Sequence, residues 1–164
     1  MSAPSSPLSA IKLLAFSIDG TLTDGTTWWG GEAIGWQQRY SARDGDALVR
    51  LKRHIHVVPL SRNQTASARE FAARFELDGR WIGVADKLPA LREICGQYVV
   101  DEASVCIVGD GCEDAGVLRA AGVGYAVADA HPDARAAADT VLGKAGGEHV
   151  IEAMEQLLRG AAGP

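Results

Sequence analysis

Two short acidic, glycine-rich stretches carry residue types suited to holding a cation and a phosphate. The first, LLAFSIDGTLTDG at residues 13–25, is an apolar run ending in a turn with Asp19 and Asp24. The second, VGDGCED at residues 108–114, ends a similar run with Asp110 and Asp114. Carboxylates brought together from two strands repel one another unless a cation lies between them. A few hard oxygen ligands of this kind suit Mg2+ holding a phosphate. Ser61 follows a third apolar run, and Lys87 opens a helical stretch from which it supplies positive charge to the same phosphate. Each residue alone has a plainer reading. Asp-Gly pairs shape turns, Asp110 and Asp114 suit a helix N-terminus, Ser61 suits a helix cap, and Lys87 suits a solvated surface.

These residues gain meaning from the elements that must position them. Short apolar runs alternate with helical patterns, as in βα units around a mostly parallel sheet. The strands expected are Ile11–Ile18, Ile55–Leu60, a short one in RWIGV near Trp81, SVCIVGD ending at Val108, Val123–Ala128, and DTVL. The expected helices are Asp46–Arg53, Thr65–Phe75, Lys87–Gln97, Glu113–Ala121, Asp133–Ala138 and His149–Arg159. Residues 24–42, rich in Gly, Thr and Trp, read as an inserted β-hairpin. Ligands of an open α/β sheet bind beyond the carboxyl ends of its strands, where Ser17, Asp19, Ser61, Asp110 and Asp114 fall.

The 164 residues suffice for one domain, with 47% apolar and 23% charged residues. A net charge of −5 argues against a nucleic-acid partner. The basic cluster RLKRH at residues 50–54 reads as the exposed end of a helix. Cys95, Cys106 and Cys112 form no CxxC pair and fit reduced thiols in a cytoplasmic protein. MSAPSSPLSA has no basic start or long apolar core, so neither a secretory signal nor a membrane span is expected. Residues 1–10 and 160–164 read as flexible ends around a domain at 11–159. His54 and His56, with no third ligand evident, read as structural.

From Ile11 to Leu158 the sequence resembles the haloacid dehalogenase superfamily. Within it, the chain is similar to the capless 3-deoxy-D-manno-octulosonate 8-phosphate phosphatases. DGTLTDG looks like the first motif, Ser61 stands at the second, Lys87 in ADKL at the third and VGDGCED at the fourth. ARDG and AVADAHPDARAAAD are typical of the subfamily. The resemblance implies a three-layer Rossmann-like fold, assembled as a homotetramer through its hairpins, and a Mg2+-dependent phosphomonoesterase acting on a sugar-acid phosphate. In such enzymes the first Asp of a DxD pair attacks phosphorus and the second transfers protons. Carried over by position, Ser17 stands at the nucleophile and Asp19 at the general acid/base. Ser61, Asn63, Lys87 and Gly20 are the expected phosphate contacts, and Asp19, Asp110 and Asp114 the expected metal residues. Arg43 and Asp44 are expected at a substrate or subunit edge, and His131 in a structural or pocket-edge role. Trp28, Trp29 and Trp36 are expected to bury area between subunits.

The chain departs from this pattern in three places. Ser17 replaces the nucleophilic carboxylate. The second motif, usually Thr-Gly-Arg, reads Ser61-Arg62-Asn63. AGGEHVIEA keeps Gly146 and Gly147 but places His149 at the next glycine and lacks the following arginine. Attack by serine would leave a stable phosphate ester where a carboxylate leaves a readily hydrolysed acyl phosphate, and the hydroxyl would need a base. The expectation is a degenerate relative with a weakened Mg2+ and phosphate pocket, acting in binding or assembly. The alternative is a working sugar-acid phosphatase with an unusual mechanism.

Overall fold

The computed structural model describes residues 10–162, so the stretch expected to be flexible at the N-terminus lies, but for its last residue, outside the described residues. In chain order the elements begin with β1 (Leu13–Phe16), β2 (Trp28–Trp29), β3 (Trp36–Gln37), α1 (Ala42–Leu51), β4 (His56–Pro59) and α2 (Ala66–Arg74). They continue with α3 (Lys87–Tyr98), β5 (Val105–Gly109), α4 (Ala115–Ala120), β6 (Val123–Ala126), α5 (Pro132–Ala137), β7 (Thr140–Val141) and α6 (Val150–Ala162). Five strands form a parallel sheet in the order β4-β1-β5-β6-β7. Strands β2 and β3 form a separate antiparallel hairpin.

The apolar runs explain the sheet order. Leu13 to Phe16 and Val105 to Gly109 are buried throughout, as parallel strands covered on both faces must be. They pair directly, Phe16 opposite Val108, and so bring the two acidic turns side by side. Pro59 sits on β4, an edge of the sheet, where a missing N–H is tolerated. Helices start at side-chain caps: Ser41 accepts from the Asp44 N–H, Thr65 from Ala68 and Asp86 from Leu88. The Asp86 cap sets where α3 begins and hence where Lys87 points.

Three sequence expectations need correction. RWIGV is not a strand. Asp78 caps a 3-10 turn at Gly79–Trp81, and only Ile82 bridges to Ser61. Helix α1 begins at Ala42, ahead of the expected Asp46, because Ser41 caps it. Helix α6 continues to Ala162, so part of the expected flexible tail is helical. The hairpin forms as expected, with Trp28, Trp29 and Trp36 about half exposed. No helix of the described residues is long and apolar enough to cross a membrane.

Candidate active site

Beyond the ends of β1 and β5, the chain folds two tight turns against each other. Gly20 has φ +70, and a Cβ there would lie 1.9 Å from Asp110 Oδ2. Only glycine satisfies both the left-handed backbone and this close approach. Thr21 donates its hydroxyl to Asp110 Oδ1 at 3.3 Å. The loop before α6 closes over the first turn, with the Gly147 N–H donating to the Thr21 carbonyl. Asp24 lies outside this contact, accepting from the Thr26 N–H and pairing with Arg39 on the surface. It shapes the turn.

Lys87 joins the two strand ends. Its ammonium lies 2.5 Å from Asp114 Oδ1 and 3.1 Å from Ser17 Oγ, with all three residues buried. Asp114 Oδ2 accepts the backbone N–H groups of Asp110 and Gly111, both at 3.0 Å. Both oxygens of Asp114, expected as a metal residue, are therefore engaged within the protein. It anchors Lys87 and the loop that carries Asp110. Burial first, and the Asp114 carboxylate next, push the Asp110 carboxyl up to about 7, with Lys87 and the Thr21 hydroxyl opposing.

On the other side of the first turn, Asp19 Oδ1 accepts from Asn63 Nδ2 at 2.7 Å and from Gln38 Nε2. The Asn63 N–H donates to Ser61 Oγ at 3.1 Å, which ties the third strand end to the same cluster. Ser17, Asp19, Gly20, Ser61, Asn63, Lys87, Asp110 and Asp114 are thus brought together. Arg43 and Asp44 are not. Arg43 pairs with Glu152 on the surface. Asp44 is fully buried between α1 and α6, where Oδ1 accepts the Glu152 N–H at 3.0 Å. There it joins α1 to α6, apart from the cluster at the strand ends. His131 caps α5 by accepting the Asp133 N–H on Nδ1, and its own N–H donates to the Asp110 carbonyl at 2.7 Å. Gln38 belongs to the cluster although no periodicity or motif marks it.

Among the described residues no group of three His, Cys, Asp or Glu is arranged around a metal position. Among the described residues the carboxylate oxygens of Asp19 and Asp110 left without a hydrogen-bond partner at the strand ends are Asp110 Oδ2 and Asp19 Oδ2, with the Ser17 hydroxyl at the end of β1. Mg2+ typically takes one or two carboxylates together with phosphate oxygens and water. The residues fit such a cation at the lower limit, and the raised Asp110 carboxyl is a group that a cation would return to its ionised form. A separate groove of about 880 Å³ between α1 and α2, lined by Tyr40, Ser41, Ser67 and Phe71, contains none of these residues.

A parallel sheet with acidic turns on adjacent strands, a hydroxyl on a third and a buried lysine is the arrangement of haloacid dehalogenase-like hydrolases, and the model of that family matches residues 82–154. The 3-deoxy-D-manno-octulosonate 8-phosphate phosphatase of Escherichia coli is 30% identical over 156 residues, covering 93% of this chain and 81% of the relative. The cobalt-bound octulosonate phosphatase of Haemophilus influenzae superposes with a TM-score of 0.88 at 28% identity, covering 96% of this chain and 92% of that one. The Moraxella catarrhalis enzyme, solved with magnesium, phosphate and KDO, gives 0.87 at 25% identity, with 94% and 89% covered. The chain belongs to the 3-deoxy-D-manno-octulosonate 8-phosphate phosphatase family.

Proposed function

We propose that this chain is a degenerate member of its family: it binds Mg2+ and a phosphorylated sugar acid weakly, turns the ester over slowly or not at all, and acts in binding or assembly. One observation carries the proposal. Ser17 Oγ meets the Lys87 ammonium at 3.1 Å, and no imidazole or carboxylate hydrogen-bonds it among the described residues. An ammonium donates to a hydroxyl but does not take its proton, so Ser17 is oriented and not activated. Losing a nucleophile outright costs on the order of a million-fold in proteases.

The remaining groups still suit a bound phosphate. Lys87 would meet the phosphoryl oxygens together with the Ser61 hydroxyl, Asn63 and the backbone around Gly20. Asp110 would hold Mg2+, with the Asp19 carbonyl and Ser17 beside it, and the ion would neutralise phosphoryl charge. Because Asp19, Ser61, Lys87 and Asp110 all survive, the alternative reading is a working phosphatase of a sugar-acid phosphate, KDO-8-phosphate or a sialic-acid-type 9-phosphate. For assembly we favour a homotetramer in the cytoplasm, built through the half-exposed tryptophans of the hairpin.

The test is phosphate release from a panel of sugar-acid phosphates, with and without Mg2+, by the protein as it stands and by Ser17→Asp. Turnover confined to Ser17→Asp is the expected result. Ready turnover by the unmodified protein overturns the proposal. No turnover by either protein places the loss of function in the altered second motif and tail. Light scattering tests the assembly, and a monomer contradicts it.

A further inference from the structure

We infer that Gln38 is a positioning residue for proton transfer: with Asn63 it holds Asp19 Oδ1 as an acceptor and leaves Oδ2 as the oxygen that exchanges a proton with a leaving group. The inference rests on the reading of Asp19 as the proton-transfer group of a phosphate site.

Gln38 follows β3 on the strand that leaves the hairpin, and only 7% of it is exposed. Its Nε2 donates to Asp19 Oδ1, the atom that also accepts from Asn63 Nδ2 at 2.7 Å. Surrounding bonds settle which way both amides face. Asn63 Oδ1 accepts the N–H and the hydroxyl of Thr65, both at 2.7 Å, so its Nδ2 must face Asp19. Gln38 Oε1 accepts from Asn63 Nδ2 at 2.7 Å and from the Tyr40 hydroxyl at 3.2 Å, so its Nε2 must face Asp19 as well. The Ser67 hydroxyl donates to Tyr40 in turn. Turning either amide over would set carbonyl oxygens against the carboxylate and against one another.

A carboxylic acid carries its proton on one oxygen. With two N–H donors converging on Oδ1, an added proton there would meet donors, so it sits on Oδ2. That oxygen has no hydrogen-bond partner among the described residues and is not a buried orphan. Both polar ends of Gln38 are engaged within the protein, so it orients Asp19 and does not itself touch a substrate. In the step this serves, a carboxylate introduced at position 17 forms a bond to phosphorus. The bond from phosphorus to the leaving oxygen breaks, and that oxygen takes the proton from Asp19 Oδ2.

Gln38→Met keeps the length of the side chain and removes its donor and acceptor. The test places it in the Ser17→Asp protein with Mg2+ and compares kcat/KM, which reports the steps through departure of the leaving group, for two esters. An alkyl phosphate needs a proton on its leaving oxygen, and its kcat/KM should fall about tenfold or more. 2,4-Dinitrophenyl phosphate needs none, and its value should change by less than about twofold. Equal falls on both esters mean a merely structural role and overturn the inference, as does no fall on either. If Ser17→Asp turns over neither ester, the phosphatase reading fails on its own and side-chain amide NMR decides this one. Asp19→Leu should then shift an amide proton of both Gln38 and Asn63, and unchanged signals overturn the inference.

Discussion

Replacing Lys87 by Met removes the buried ammonium that joins the two acidic turns. The Lys87 and Asp114 side chains are each 2% exposed and meet at 2.5 Å. Removing one partner of a buried ion pair costs about 3–5 kcal/mol, because the other charge stays buried without compensation. Asp114 keeps the Asp110 and Gly111 N–H groups on Oδ2, which places the loss at the lower end, about 3 kcal/mol. In urea the midpoint should fall with an unchanged slope. In a thermal melt the same loss appears as a drop of about 6–12 °C for a domain of this size. The double variant Lys87→Met/Asp114→Asn removes the orphaned charge while an amide oxygen still accepts from the loop, and should recover about 2 kcal/mol. A single-variant loss below about 1 kcal/mol is the range of a solvated surface pair and would refute the reasoning. A double variant no more stable than Lys87→Met would refute it equally.

Two further outcomes follow from buried geometry. Burial lifts the Asp44 carboxyl above its ordinary value of 3.8, against the N–H of Glu152 and the nearby His149. The folded state therefore holds this proton at pH values where the unfolded chain has lost it, so its contribution is full in acid and is lost as pH rises through the folded value. Asp44→Asn does not titrate and still offers an oxygen to the Glu152 N–H. Relative to the unmodified protein it should gain stability from about pH 3.5 to pH 7 in urea unfolding, and a relative loss over that range would contradict the assignment. Gly20→Ala meets both a left-handed backbone and the Asp110 carboxylate 1.9 Å away. It should cost at least about 1–2 kcal/mol and weaken binding of Mg2+ with inorganic phosphate in calorimetric titration; an unchanged melt would show that the turn relaxes freely.

The strand ends were legible because uninterrupted apolar runs such as LLAF and VCIVG have little choice but to be central parallel strands. Once they are neighbours, the turns that follow them must meet. The role of Asp114 was not legible. Its side chain looks like any carboxylate of the second acidic turn until α3, capped by Asp86, delivers Lys87 to it from 27 residues away. Gln38 was hidden for a related reason, since it lies in a two-strand hairpin too short to show alternation, and its partners come from two other elements. RWIGV misled because its β-rich composition is overridden by the Asp78 cap and by Gly83, at φ +85. His149 is a mixed case. The resemblance places glycine there, and the backbone at His149 has φ 63, a conformation glycine adopts without strain. The ring compensates by bonding Ser41 Oγ through Nδ1 at 2.7 Å, a contact that depends on where α1 starts.

The charges at the strand ends explain why serine at position 17 leaves the fold intact. Lys87 is already balanced by Asp114, and Ser17 adds a neutral hydroxyl in contact with the ammonium. A carboxylate in the same buried place would add an anion beside Asp110, whose carboxyl burial and Asp114 already push up to about 7. Like charges this close ionise together only when a cation lies between them. With serine, the Lys87–Asp114 pair gains a neutral neighbour at position 17 and no further buried anion. On the function proposed above, serine at position 17 takes away both the attacking carboxylate and an anionic ligand, while the Gly20 and Asp110 turns keep their packing. On that proposal the groups suited to a phosphate, Lys87, Ser61 and Asn63, stand without a group that attacks one, so binding and turnover are to be measured separately in this chain.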